Sequence, residues 1–253
     1  MVIDFHIHYS GGTYFIKEES HMETVMEEMD YNQIEKSLLL PMDGFFSNWE
    51  ADNDRIIDVI ARRPDRFAGL GTFSPRLVEP AVREMDRCLA GGMVGIKFHP
   101  WLQAFSPLED CFLEVAAEAN ARKTLFFLHD GTPPYTEPFQ IAEVARRNPD
   151  LTVVMGHSGL NDMWRESLLS ALQYDNIWLC FCGCPHWGML EIAKQMRGER
   201  IVWGSDYPLA TKRDTRERIQ QIDHLPISDE WKEKILYRNA VELLARFERG
   251  TKG

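Results

Sequence analysis

The chain has 253 residues, 44% of them apolar, enough for one sizeable core, and we expect a single domain over residues 1–253. A formal net charge of −11 excludes the basic footprint of a nucleic-acid binder and argues against adhesion to anionic membranes. Five cysteines (Cys88, Cys111, Cys180, Cys182 and Cys184) form no paired framework and no apolar run is long enough to span a bilayer, so we expect a cytoplasmic protein with no membrane partner.

The first apolar run is "VIDFHIH" (2–8), with no basic region and cleavage site that would mark a secretory leader. If it is a strand, its side chains alternate and His6 and His8 share a face. "SLLLPM" (37–42), "FAGLGTF" (67–73) and "VGIKFH" (94–99) follow as further strands. Residues 108–122 predict a helix with Leu108, Cys111, Phe112, Val115, Ala116 and Ala119 on its buried side. "TLFFLH" (124–129), "LTVVMGH" (151–157), "IWLCFC" (177–182) and "IVWGSD" (201–206) complete eight runs, and residues 227–250 predict one or two closing helices. The runs are apolar throughout rather than alternating, as in strands buried on both faces. Eight strand–helix units in this length predict an α/β chain folded as a (β/α)8 TIM barrel. A doubly wound sheet is disfavoured, since no Gly-rich phosphate fingerprint follows any run.

The loops are unequal. Helix-to-strand turns such as "AGGM" and "RGER" are short, whereas strand-to-helix loops such as "PWLQAFSP" and "DGTPPYTEP" are long and rich in aromatic residues, Pro and Gly. In a barrel, the face built by the strand-to-helix loops carries the active site.

Of the eight histidines, His6, His8, His99, His129 and His157 all end predicted strands on that face, and Asp206 ends the eighth. A bound metal explains such convergence, because zinc and similar ions gather three or four imidazole and carboxylate ligands at one point. Residues i and i+2 on one strand lie about 6.6 Å apart at Cα, close enough for both imidazoles to reach one ion. Asp4 either supports that site or packs below it. Lys97 lies on the fourth strand, below His99. Cys180, Cys182 and Cys184 are expected on one face, either as thiolate ligands or as small buried hydrophobes. Trp101, Arg165, His186, Trp187 and Tyr207 fall in rim loops and are expected to line the pocket, with Lys97 and His99; His21 and His224 are expected at the surface.

Five motifs in order, "IDFHIH", "GIKFHP", "LHDG", "GHSG" and "WGSDYP", each at its strand, resemble the amidohydrolase superfamily, and more narrowly its amidohydrolase 2 branch, which includes aminocarboxymuconate-semialdehyde decarboxylase and γ-resorcylate decarboxylase. The resemblance implies a metal held by His6, His8 and His129, with Asp206 as fourth ligand, and His157 as a catalytic group. One zinc ion is the expected cofactor, with manganese, iron or cobalt as alternatives and a second ion bridged through Lys97 as a further one. The expected reaction is hydrolysis of a small-molecule amide, ester or lactone. The ion lowers the pKa of its water from about 15.7 toward 7, and Asp206 acts as base and then acid. The alternative is non-oxidative decarboxylation of an aromatic or unsaturated acid, whose carboxylate would seek a cation among Lys17, Arg165, Lys212 and Arg213. A non-catalytic metal- or ligand-binding barrel is the alternative of another class. A homo-oligomer is an open expectation.

Overall fold

Eight parallel strands run around one sheet in sequence order. They are β1 Val2–His8, β2 Ile34–Leu40, β3 Phe67–Gly71, β4 Gly95–Phe98, β5 Leu125–Leu128, β6 Thr152–Met155, β7 Ile177–Phe181 and β8 Ile201–Trp203. The structure is a computed structural model that describes residues 1–12 and 16–248. Between the strands lie α1 Met22–Asn32, α2 Trp49–Arg62, α3 Val78–Ala90, α4 Asp110–Ala121, α5 Pro138–Arg147, α6 Trp164–Gln173 and α7 His186–Met196. After β8 come α8 Lys212–Asp223, α9 Asp229–Glu233 and α10 Asn239–Glu248. The first and last strands meet just beyond β8, where the Asp206 N–H donates to the His6 carbonyl (2.8 Å) and the His8 N–H to the Tyr207 carbonyl (2.7 Å). The fold is a TIM barrel.

The apolar runs are continuous because each strand faces two cores. Along β5, Leu125 and Phe127 join the cluster inside the barrel, while Phe126 and Leu128 pack under the helices. Each such side chain contributes roughly 1.5–3 kcal/mol on burial. Local chemistry starts the helices: Pro138 opens α5 behind a Glu137/Gln140 capping box, and Thr211 with Asp214 caps α8 in the same way. Ala240, Leu243 and Leu244 of α10 pack against the inner cluster, and the Asn239 amide donates to the carbonyls of Gly198 and Ile201, both at 2.7 Å. These contacts close the end of the barrel where the strands begin, opposite the histidines.

Several expectations shift. Helix α4 starts at Asp110, so Leu108 precedes it and is 41% exposed, and Cys111 is only half-buried; Phe112, Val115, Ala116 and Ala119 form the buried side. Strand β2 begins earlier, at Ile34. Strands β5, β6 and β8 end before His129, His157 and Asp206, which therefore sit on the first residues of the loops rather than in the ladder. Cys184 does not share a face with Cys180 and Cys182: the chain turns at Gly183 (φ +100°), and Cys184 joins the outer cluster while the other two stay in the inner one.

Candidate metal centre and cleft

His6 and His8 lie at the mouth end of β1, both buried. The ring Nδ1 of His6 lies 3.1 Å from the Gly156 carbonyl, and that of His8 lies 3.4 Å from the Pro41 carbonyl. A carbonyl only accepts, so each Nδ1 carries the proton and each Nε2 keeps its lone pair. The two Nε2 atoms are 3.3 Å apart, and Asp206 Oδ1 is 3.4 Å from each. Ligand atoms about 2.1 Å from a tetrahedral ion sit about 3.4 Å from one another. The three donors therefore fit one divalent cation. Without a cation, two lone pairs and an anionic oxygen would face each other at that distance.

The supporting groups agree with this reading. The Nε2 atom of His129 is buried and has no hydrogen-bond partner. Its ring stacks on His99 (3.7 Å between centroids) and stands edge-on to His157 (4.4 Å). Burial holds the imidazoles of His6, His99 and His129 well below their ordinary pKa, and burial together with the charge of Lys97 brings His157 down to about 4 despite the pull of Asp206. These rings are neutral at pH 7, as metal ligands must be. Burial alone would raise Asp206, but the adjoining ring nitrogens of His8 and His6, each 3.4 Å away, and His157 outweigh it and hold the carboxyl well below the usual range. Asp206 also has φ +65°, a left-handed conformation that costs a non-glycine residue energy and that is common at functional sites.

Two carboxylates hold the loops in place. Asp4 Oδ1 accepts the N–H groups of His6 (3.1 Å) and Ser205 (2.9 Å), tying β1 to the loop that carries Asp206. Of the two roles considered for Asp4, the supporting one is therefore what the geometry favours. Asp130 accepts the N–H groups of His157 (2.6 Å) and Gly159, and so orients the loop after β6. Burial raises Asp4 to about 7 and Asp130 to about 6. Asp130 was missed as a functional residue, although it follows His129 directly in "LHDG".

A cleft of about 140 Å³ opens over two of the three donors, His8 and Asp206, while His6 is fully buried. Its polar floor is His8, His99, His129, His157 and Asp206, and its walls are Met42, Trp101, Leu102 and Leu209. Trp101 and His99 therefore fall where expected. Met42, Leu102 and Leu209 were not anticipated, because single apolar residues in loops carry no signal of their own.

Other expected pocket residues do not reach the cleft. Arg165 and Trp187 line a separate groove between α6 and α7, with the Arg165 guanidinium over Trp164 (5.2 Å). Tyr207 and Lys17 border a neighbouring cavity of about 310 Å³. His186 opens α7 and faces another cavity, with Arg218. Lys212 pairs with Glu27 and Arg213 with Glu217. The reason is common to these residues: sequence places them on the rim, but each loop's path decides which side it faces. Lys97 lies below the cleft, fully buried, with its amino group 4.6 Å from the Phe127 ring centroid and no hydrogen-bond partner. Burial brings it down to about 8.

The fold and these donors define a TIM barrel with a histidine–aspartate constellation at its mouth. The model of the amidohydrolase family matches residues 3–246, and the chain belongs to that family of enzymes. It is similar in structure to an uncharacterized TIM-barrel protein from Bordetella bronchiseptica (TM-score 0.81, 22% identity, 97% of this chain and 99% of the other). It is also similar to 2,6-dihydroxybenzoate decarboxylase from Rhizobium (TM-score 0.74, 17% identity, 97% and 98%). A third neighbour is 5-carboxyvanillate decarboxylase from Novosphingobium aromaticivorans, complexed with manganese and 4-hydroxy-3-methoxy-5-nitrobenzoic acid (TM-score 0.77, 16% identity, 97% and 96%). At these identities the likeness is one of fold. A search of curated proteins found no match. Among the described residues, no helix is long and apolar enough to cross a membrane.

Proposed function

We propose that this chain is a metal-dependent, non-oxidative decarboxylase of a small aromatic carboxylic acid. The observation that carries the metal requirement is the set of 3.3–3.4 Å spacings among His6 Nε2, His8 Nε2 and Asp206 Oδ1. The neighbours named above for an activity are decarboxylases, which supports this reaction over hydrolysis. The cleft suits a small ring: it holds about 140 Å³, with Met42, Trp101, Leu102 and Leu209 around a polar floor. His6, His8 and Asp206, with His129 as fourth donor, would hold the ion. The manganese of the carboxyvanillate decarboxylase supports manganese ahead of zinc. When bound, a divalent ion anchors and polarises the substrate's oxygens.

The chain's own groups supply the rest. The imidazole of His157, its Nδ1–H held by the Cys182 carbonyl at 2.6 Å, keeps its other nitrogen for the substrate. Asp206, 20% exposed at the cleft floor, rests as a carboxylate; it would take a proton from the substrate's ring hydroxyl and pass it to the ring carbon that bears the carboxylate. The carbon gains that proton, the bond to the carboxylate breaks, its electron pair returns to the ring, and carbon dioxide leaves.

The test is carbon dioxide release from a panel of hydroxybenzoic acids by manganese-loaded protein, run beside ester, lactone and amide panels. Release is expected, with His157→Asn and Asp206→Asn each lowering kcat by roughly 10²–10⁴-fold. Turnover of the hydrolase panels without carbon dioxide release would overturn the proposal in favour of hydrolysis.

A further inference from the structure

A second donor set touches the first. One nitrogen of His6, one of His157 and the Cys182 thiol sulfur lie within 4.8 Å of one another, and all three residues are buried. Cys182 is the residue just past β7, and its sulfur belongs to the inner cluster. Gly183 then turns the chain away, so Cys184 cannot reach the same point. Behind the thiol stands a cation: Arg218 Nη1 of α8 is 3.8 Å from Cys182 Sγ.

We propose that the site contains two overlapping metal positions that share His6. One, formed by His6, His8 and Asp206, suits an ion that prefers nitrogen and oxygen. The other, formed by His6, His157 and Cys182, suits a thiophilic ion such as cadmium or zinc. This inference rests on the metal reading of the site given above.

The sharing follows from the chemistry of His6. Its Nδ1–H is committed to the Gly156 carbonyl (3.1 Å), which leaves one lone pair and hence one ion. Donor softness then decides where an ion sits: carboxylate and imidazole suit manganese, and thiolate favours softer metals. Filling the second position displaces the thiol proton to solvent as the metal–sulfur bond forms. The adjacent Arg218 guanidinium stabilises the thiolate that results. An ion held there takes His157 from the substrate and leaves Asp206 without its metal, so thiophilic ions inhibit the enzyme that manganese supports.

The experiment uses the full chain, stripped with a chelator and titrated separately with cobalt(II), cadmium and manganese. Cobalt is expected to bind one ion per chain and to show thiolate-to-metal charge-transfer absorption in the near ultraviolet. Cys182→Ser removes that band and weakens cadmium binding by about tenfold or more, whereas Cys184→Ser keeps the band. X-ray absorption at the zinc edge needs no variant, and expects one sulfur at about 2.3 Å in the zinc-loaded chain. Binding of one ion with a purely nitrogen–oxygen spectrum and no sulfur at the edge overturns this proposal and leaves the metal centre standing. Two ions per chain overturn the sharing. Failure to bind any ion overturns both readings.

Discussion

Gly95→Ala tests how closely the strands under the site must approach. Gly95 opens β4 and pairs in register with Leu125 of β5. A methyl group on Gly95 would overlap the Leu125 carbonyl oxygen and lie 2.8 Å from the Leu125 Cβ. The oxygen and the Cβ belong to the neighbouring strand, so no flexible side-chain end can yield. Restoring a contact of about 3.5 Å requires the strands to part locally by about 1 Å. Overpacking of this kind costs roughly 1–3 kcal/mol, and a weakened ladder hydrogen bond about 1 more, for a total of about 3 kcal/mol. For a chain of this size that lowers Tm by roughly 6–12 °C. The same separation disturbs the stack of His99 on His129, 3.7 Å between centroids, which follows from the β4–β5 register, so manganese affinity should fall too. The assay is thermal and urea denaturation with and without manganese, beside a manganese titration. Gly92→Ala is the control: its φ is +90° but only Ile60 Cδ1, at 3.8 Å, lies near the added carbon. It should cost backbone strain alone, about 1–2 kcal/mol. A Tm loss under about 2 °C for Gly95→Ala, with manganese affinity unchanged, would refute the steric reasoning.

Chelation should destabilise the protein, since an ion that binds only the folded chain at a hundredfold excess over Kd adds about 2.7 kcal/mol. Manganese should therefore raise Tm by roughly 5–11 °C over the chelated protein, measured by differential scanning calorimetry; an identical Tm in both states would count against a preformed site. Asp130 offers a pH test. Its folded pKa, raised to about 6 by burial, exceeds the unfolded value, so the carboxyl's contribution is fullest below about pH 4 and is lost as pH rises through 6. Relative to Asp130→Asn, which does not titrate, wild-type stability should fall by up to about 3 kcal/mol between pH 4 and 7. A difference that stays constant with pH would sink the assignment.

The strand-forming runs were legible because parallel strands covered on both faces stay apolar, and eight of them alternating with helices in this length suit a barrel. The histidines were legible for a related reason. A polar residue at the end of such a run has no place in either core, so His6, His8, His129, His157 and Asp206 stood out by contrast. The loops were less legible. Arg165, Tyr207 and His186 share the composition of cleft residues yet face other cavities, and Leu209 and Met42 share the composition of ordinary loop residues yet wall the cleft.

The barrel, the rim on which chemistry could occur and the residue types available for a metal follow from periodicity along the chain and from where polarity interrupts it. Which donors meet is set by the folded barrel. The 3.3 Å between His6 and His8 Nε2 depends on carbonyls of Gly156 and Pro41 that hold the two rings. The place of Asp206 depends on a backbone bond to His6, the residue it ends beside after a full circuit of the barrel. Cys182 comes into reach of His6 and His157 while Cys184 turns away, through one left-handed glycine between them. Such distances are set by barrel closure and loop paths, which join residues far apart in the chain, and no local pattern of residues encodes them.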